Sequence, residues 1–468
     1  MKYAIGSEQR PLRVAIIGSG PSGFYAAERL LKQDCISIEV DMFEMLPTPY
    51  GLVRAGVAPD HQKIKKVSQI YDTIAQLPQF RFWGNVEFGK DLEKSDLLDL
   101  FDAIIYAVGL QSDRKMGLSG EDLPGSWSAT QFVGWYNGHP DFQHLEFDFT
   151  TENAAIIGMG NVAMDVSRIL AMTTEELAAT DIAHHALRQL QESRIRNIYL
   201  INRRGPMQAT FDNTSTKIIP NLSGAVALTN PDGLKLEQET KMILDQTGDR
   251  KIIDNLKFLD AISKNRPSSE HRNIHFLFRL SFLEIYASEN NTVGGLKMVK
   301  NELFQNEFGS LKSRATDVME DIKAGLVIRA IGYKLKPLPD VSYDFNRGVI
   351  ANYKGRVVNP ETQAICPREY VTGWAKRGPT GVIGSNKPDA YETVEFLLED
   401  IKNHFAEATD EPQLQRVTKL LESKKLVFVP FEDWKILDQA ELENGMRKDK
   451  PREKVTTVKE MLRLIEEG

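Results

Sequence analysis

The sequence predicts an α/β protein made of two Rossmann-like dinucleotide-binding units, the second inserted into the first. Three observations carry that expectation. A strand, a G-x-G-x-x-G turn and a helix open the chain at residues 13–28 (RVAIIGSGPSGFYAAE). The same device returns at 153–170, now as G-x-G-x-x-A. A strand and Gly-rich turn at 370–384 then resemble a late return to the first unit. At 468 residues the chain is too long for one ordinary core, and 41% hydrophobic with 26% charged residues reads as globular. No apolar run approaches the roughly 20 residues that span a bilayer. The opening residues lack a signal-like apolar core, so a cytoplasmic protein is expected. A net charge of −7 gives no basic field for nucleic acid. Cys35 and Cys366 form no C-x-x-C pair, which argues against a redox disulfide, a cysteine zinc site or a bound iron–sulfur cluster.

In the first unit, residues 14–17 are continuously apolar, as a strand buried on both faces requires. Gly18 permits the tight turn, Gly20 lets a pyrophosphate approach the backbone, and Gly23 lets helix and strand pack closely. The free N–H groups of the helix start then face the phosphates. A second strand at 38–43 runs into Glu44, 21 residues beyond Gly23, where a carboxylate can bond a ribose hydroxyl. An 18-residue irregular loop follows, and loops of that length in compact domains are usually functional. It singles out His61, although a surface or capping histidine is the plainer alternative. Ile64, Val67, Ile70, Tyr71, Ile74 and Leu77 mark one face of the next helix, with Asp60 placed to cap it. Residues 80–90 read as a short β excursion, 103–109 as a buried strand, and the aromatic-rich 113–150 as a crossover.

The second unit opens with a strand at 153–157, then Gly158, Gly160 and Ala163, and a helix. After a helical insertion (174–192), its second strand (197–201) ends in Asn202-Arg203-Arg204-Gly205-Pro206. An acid there would repel a 2′-phosphate, whereas two guanidiniums bind one bidentately, so NADP is favoured over NAD. A solvated arginine pair at a strand end is the bland alternative. Residues 250–272 hold six basic and three acidic side chains, either a dock for an acidic partner or a solvated face. Residues 326–332 read as the closing strand and 334–340 as a hinge. In the turn at 370–384, backbone N–H groups before a helix suit an electron-rich isoalloxazine edge, and Trp374 could stack on a ring. The charged, helical tail (405–468) carries one apolar patch at 426–431 and is expected to wrap the first unit. The expected division is 1–112 with 338–468 as one domain and 113–337 as the other.

Together VAIIGSGPSGFYAA, YGLVRAGVAPDH, FVGWYNG, GMGNVAMDVSRIL, NRRGPMQ, GWAKRGPTGVI and KPREK resemble the adrenodoxin reductase family, FAD-containing NADPH–ferredoxin reductases of mitochondria and some bacteria. The resemblance implies a glutathione-reductase-like fold, an FAD domain interrupted by an NADP domain. It implies FAD contacts at Gly18, Gly20, Glu44, Leu52, Val86, Trp374 and Gly381, with Gly23, Val382 and Ile383 in the same turns. NADP contacts fall on Gly160, Asn161, Val162, Arg203 and Arg204, and the polar groups beside nicotinamide and flavin on His61 and Asp165. The last two are expected to orient the dinucleotide rather than transfer protons, with no metal and no covalent nucleophile. Electrons are expected to pass from NADPH through FAD to a 2Fe–2S ferredoxin, and the chain to act as a monomer. Two departures stand out: Ser215 takes the place of a family Glu thought to contact nicotinamide, and the ferredoxin-docking cluster is kept only at Arg250 and Lys251. A quinone reductase or electron-input module of the same fold, and a non-catalytic redox sensor, are the rival readings.

Overall fold

The structure is a computed structural model describing residues 3–236, 244, 248–306, 311–404, 407–408 and 416–468. Two open sheets dominate it. The first has seven strands in the order Asn352–Tyr353, Arg356–Val358, Ile365–Val371, Ala103–Tyr106, Leu12–Ile17, Ile38–Glu44 and Phe80–Gly84. From Ile365–Val371 to Phe80–Gly84 every pairing is parallel. Leu12–Ile17 lies inside that sheet and is buried throughout. Successive strand residues point to opposite faces, so Leu12, Val14 and Ile16 join one core cluster while Ala15 and Ile17 join another. That is why residues 14–17 are apolar without alternation.

The second sheet is wholly parallel, in the order Ala225–Thr229, Arg272–Phe278, Asn197–Asn202, Asn153–Ile157, Leu326–Arg329 and Ser126–Ser128. One face packs against helices and the aromatic cluster of Phe132, Trp135, Phe147 and Phe149. Its other face is covered by an antiparallel meander, Leu280–Ala287, Val293–Gln305 and Leu311–Lys323, through Leu280, Ile285, Leu296 and Met298. Where the chain leaves the first sheet, Ser112–Asp113 pairs antiparallel with the returning Tyr333–Lys334. The outward and return crossings therefore run side by side.

Several local expectations are modified. Residues 113–150 are more than a crossover: they supply Ser126–Ser128 and the helix Ala129–Asn137, whose start is closed by a reciprocal Ser128–Gln131 capping box. The helix expected around 64–77 is two, Gln62–Lys65 and Ser68–Ala75. Tyr71 and Ile74 are buried, but Ile70 is 50% exposed, so the apolar face is interrupted. The 174–192 insertion is likewise two helices, Thr174–Ala178 and His184–Gln191. The tail does wrap the first sheet. Val429 exchanges two 2.8 Å backbone hydrogen bonds with Gly84 at the sheet edge. Phe431, Trp434 and Leu437 enter the core beside Phe24 and Tyr50, which explains the apolar patch. Residues 405–406 and 409–415 of that tail lie outside the described residues.

Candidate functional site

The first glycine loop joins Leu12–Ile17 to the helix Pro21–Leu31. Gly18 has φ 100°, and a Cβ there would lie 2.7 Å from the Ala107 carbonyl oxygen. A Cβ on Gly23 would lie 2.3 Å from the Gly18 carbonyl oxygen. These two glycines let the backbone fold on itself. Gly20 is different: a Cβ there would meet nothing within 4 Å, so its outer face is open. It immediately precedes the helix, whose N-terminus has no side-chain cap. Glu44 reaches the loop from the end of the neighbouring strand. Its Oε2 accepts hydrogen bonds from Ser19 N–H at 3.0 Å and Ser19 Oγ–H at 2.6 Å, and Oε1 accepts one from Leu46 N–H at 3.2 Å. Burial pushes the Glu44 carboxyl up, and the bonds from Ser19 and Leu46 offset only part of that.

Other expected flavin contacts gather by degrees. Gly51, just before half-exposed Leu52, sits so close that a Cβ on it would be 3.0 Å from the Gly20 Cα. Val86 is buried and donates its N–H to the Glu44 carbonyl at 2.9 Å, so it belongs to the floor of the strand end. The late return reaches the same helix start: a Cβ on Gly373 would lie 2.5 Å from Ser22 Oγ. Beyond it Gly381 has φ 80°, Val382 is 56% exposed, and Ile383 begins a turn leading into the helix Asn386–His404. The Trp374 ring stacks on Tyr333, with centroids 5.6 Å apart and planes 22° apart. An open glycine face, an uncapped helix start and a carboxylate held at a strand end fit the pyrophosphate and ribose of FAD.

The second loop repeats the plan. Gly158 has φ 124°, with a Cβ only 2.4 Å from the Ala330 carbonyl oxygen. Gly160 precedes the uncapped helix Asn161–Ala171, and only Thr210 Oγ1, at 3.2 Å, would touch a Cβ there. The Asn161 side chain is paired with Asp212, accepting its N–H at 2.8 Å and donating to its carboxylate at 3.2 Å. Val162, at the same helix start, packs partly buried on the core. Arg203 and Arg204 are exposed, and among the described residues neither guanidinium is paired with a carboxylate. Asn301 holds their turn by donating to the Arg203 carbonyl at 2.7 Å. Two open guanidiniums at the end of the neighbouring strand fit the 2′-phosphate of NADP(H).

Between the two loops lies a buried polar cluster. Arg168, fully buried on Asn161–Ala171, donates from Nε and Nη2 to Asp60 at 2.5 and 2.9 Å. Its Nη2 also contacts Asp165 Oδ1 at 2.9 Å and His61 Nε2 at 2.7 Å, and Nη1 reaches Ser215 Oγ at 3.3 Å. His61 Nε2 lies 3.2 Å from Asp165 Oδ1. Burial works against the Asp60 charge, yet the Arg168 guanidinium outweighs it and holds the carboxyl below its usual range. Asp60 therefore does not cap the following helix as expected, because Arg168 occupies its carboxylate. The structure does bring His61 and Asp165 together. Sequence reading missed the residue that joins them; the Asp165–Arg168 spacing, one helical turn, was the available signal.

A second ionic group lies nearby. Lys65 donates to both Asp181 oxygens at 2.7 Å, and Lys454 stands 3.5 Å from the same carboxylate. Lys454 also donates to the Arg54 carbonyl and Asn137 Oδ1, each at 3.2 Å. Arg54 and Arg452 both grip the buried Glu441. The KPREK segment is thus a tail strap across loop 54–65 and helices of the second sheet. The basic run at 250–272 is mostly exposed, with several side chains also bonded within the chain. Lys251 donates to the Thr210 carbonyl at 3.0 Å, Lys257 and Lys264 pair with Asp254 and Asp260, and Arg272 donates to the Leu170 and Met172 carbonyls. Arg250 is exposed at the helix start. Among the described residues no group of three or more His, Cys, Asp or Glu is arranged to hold a metal, and no helix is long and apolar enough to cross a membrane.

Known proteins resemble the chain over nearly its whole length. Residues 12–253 match the family described as pyridine nucleotide-disulphide oxidoreductase. The NADPH-ferredoxin reductase FprA of Mycobacterium tuberculosis is 40% identical over 467 residues, covering 97% of this chain and 99% of that protein. The mitochondrial NADPH:adrenodoxin oxidoreductase of Arabidopsis thaliana is 38% identical, covering 98% of this chain and 97% of that protein. The solved structure of Mycobacterium tuberculosis FprA in complex with NADPH superposes with a TM-score of 0.92 at 39% identity, over 97% of this chain and 100% of that one. With two glycine loops, opposite charges at their strand ends and relatives matched over nearly its whole length, the chain belongs to the pyridine nucleotide-disulphide oxidoreductases, and among them to the adrenodoxin-reductase-type NADPH–ferredoxin reductases.

Proposed function

We propose that this chain takes electrons from NADPH and passes them through FAD to a 2Fe–2S ferredoxin. The single observation that carries the reading is the charge difference between two otherwise equivalent loops. Glu44 is locked at the first and suits a ribose hydroxyl, while Arg203 and Arg204 stand unpaired at the second and suit a 2′-phosphate. In this reading 1–112 with 338–468 form the FAD domain, and 113–337 form the NADP domain. Gly18, Gly20, Gly23, Glu44, Leu52, Val86, Trp374, Gly381, Val382 and Ile383 would serve FAD. Gly160, Asn161, Val162, Arg203 and Arg204 would serve NADP(H).

When bound, FAD supplies the conversion of a two-electron donor into one-electron delivery. The protein's part is positional. Arg203 and Arg204 anchor the phosphate end of NADPH, and the helix starting at Asn161 receives its pyrophosphate. His61 and Asp165, meeting between the two sheets, orient the nicotinamide end. Proximity of this kind is worth roughly 7–11 kcal/mol of a barrier, so geometry rather than proton transfer is the main demand on these residues. Arg250 and Lys251 are the candidate docking point for the acidic partner, and Arg250 is the more open of the two. The chain would act as a cytoplasmic monomer.

Stopped-flow mixing tests the reading. NADPH should bleach the flavin, and a 2Fe–2S ferredoxin added next should be reduced. Bleaching followed by reduction of small quinones but of no ferredoxin would contradict the proposed acceptor and favour a quinone reductase. An unbleached flavin would contradict the reading as a whole.

A further inference from the structure

The buried cluster around Arg168 is asymmetric in a way that decides the protonation pattern of His61. A guanidinium has five N–H donors and no acceptor, and it is not deprotonated in proteins. Arg168 Nη2 lies 2.7 Å from His61 Nε2, so that ring nitrogen must present its lone pair. A hydrogen on Nε2 would be driven into an N–H of the guanidinium. Turning the ring over offers no escape, because it would place a carbon at the same short distance. The Nε2 to Asp165 contact at 3.2 Å is then not an N–H···O bond; both atoms accept from Arg168. The donor count agrees. Nε and one Nη2 hydrogen go to Asp60, the second Nη2 hydrogen is shared by His61 and Asp165, and Nη1 serves Ser215.

We propose that Arg168 is a positioning residue that holds His61 as its neutral Nδ1–H tautomer and ties the His61 loop to Asp165. This rests on reading the chain as an NADPH-dependent flavoprotein reductase. The consequence is directional. His61 keeps one donor, Nδ1–H, which has no partner among the described residues and is what the ring can offer to a nicotinamide carboxamide or a water beside it. Asp165 Oδ1 is committed to Arg168, leaving Oδ2 as its free acceptor. The donor and acceptor facing the dinucleotide are thus assigned by a residue that need not touch it. Arg168 is also a bridge. Asp60 and His61 come from the long loop after the first glycine unit, whereas Asp165, Arg168 and Ser215 come from the second. Fixing the ring fixes where those two segments meet.

The test has a readout independent of turnover. In the FAD-loaded protein labelled with 15N-histidine, the resonances of His61 are assigned by their loss in His61→Gln. The expected spectrum has Nδ1 protonated and Nε2 bare; a hydrogen on Nε2 would overturn the proposal. Arg168→Lys keeps the charge but loses the planar fork. It should populate both tautomers and slow flavin reduction by NADPH at least about tenfold, a loss expected from misplaced reacting groups. NADPH affinity should stay within about twofold, because the phosphate anchors are untouched. An unchanged reduction rate in a folded Arg168→Lys protein would equally overturn the proposal. If that variant does not fold, Asp60→Asn releases one side of the guanidinium and must move rate and tautomer in the same direction. Failure of NADPH to bleach the unsubstituted protein would sink the reductase reading while leaving the tautomer result standing. A reducible flavin beside an Nε2-protonated His61 would do the reverse.

Discussion

The two glycine loops share one local plan, yet their strand ends differ in both charge and availability. At the first, Glu44 is half-buried and already engaged by Ser19 N–H and Oγ–H. At the second, Arg203 and Arg204 project into solvent without a carboxylate partner among the described residues. Burial disfavours the Glu44 charge, so the first site pays in stability for a fixed carboxylate. The second keeps its cations hydrated until a phosphate arrives. The first arrangement suits a ligand that stays, the second one that exchanges at every turnover. The glycines make a parallel distinction. Gly18, Gly23 and Gly158 serve the fold, because a Cβ on each would strike backbone, whereas the face of Gly20 is free for a ligand.

That distinction can be broken deliberately. Gly20→Ala adds a methyl to open space, and replacing an N-cap Gly by Ala costs at most about 1 kcal/mol, little for a chain of this length. It should leave melting nearly unchanged while weakening FAD binding by about a hundredfold, roughly 3 kcal/mol, seen as colourless protein after gel filtration. Gly23→Ala should do the opposite first, lowering the melting temperature through a clash worth about 1–3 kcal/mol. Equal thermal losses for both would erase the difference between fold glycine and ligand glycine.

Glu44→Gln sharpens the charge comparison at a smaller scale. FAD affinity should fall about tenfold, one charge-assisted bond. In the flavin-free protein the sign reverses. A carboxyl raised above its unfolded value of 4.5 stabilises the fold at low pH and becomes a cost as pH rises through the raised value. Glu44→Gln should therefore raise the melting temperature at pH 7 and leave it little changed at pH 4. A lower melting temperature at pH 7 would show that the bonds to Ser19 outweigh burial.

Asp181, which joins the two halves through Lys65 and Lys454, gives a pH effect of the opposite sign. Burial works against its charge, but the two ammonium groups hold its carboxyl at about 2, below the ordinary 3.8. Its contribution is therefore complete above pH 4 and lost between about pH 4 and pH 2, on the order of 2 kcal/mol. Urea midpoints should fall in that window in the unsubstituted protein. Asp181→Asn should flatten that part of the profile, though it also strands two buried cations and lowers stability at neutral pH.

What the sequence made legible was local. Each glycine loop, its flanking strand and helix, and the charge at the next strand end lie within a short span, so spacing alone carried them. His61 was drawn out by the length of its loop. Arg168 was hidden because its partners come from positions 60, 61, 165 and 215, and only the fold brings them together. Asp60 looked like a helix cap for the same reason: nothing nearby in sequence announces a buried guanidinium. Trp374 was read as a flavin contact, and its stacking on Tyr333, 41 positions earlier, left no signal in the sequence. KPREK falls in a tail that reads only as charged and helical, yet Lys450 and Lys454 are buried against the second sheet's helices. Long-range pairing of charges leaves no periodicity to read.

The most direct measurement is flavin reduction by NADPH and by NADH in the unsubstituted protein and in Arg203→Ala/Arg204→Ala. Charge-assisted bonds are worth about 1.5–3 kcal/mol each, so the double variant should lose about a hundredfold or more in NADPH affinity. NADH, lacking the 2′-phosphate, should change by less than about twofold. A preference for NADPH that collapses in the variant is the predicted result. Equal losses for both dinucleotides, or a preference that survives, would contradict the assignment of the second loop.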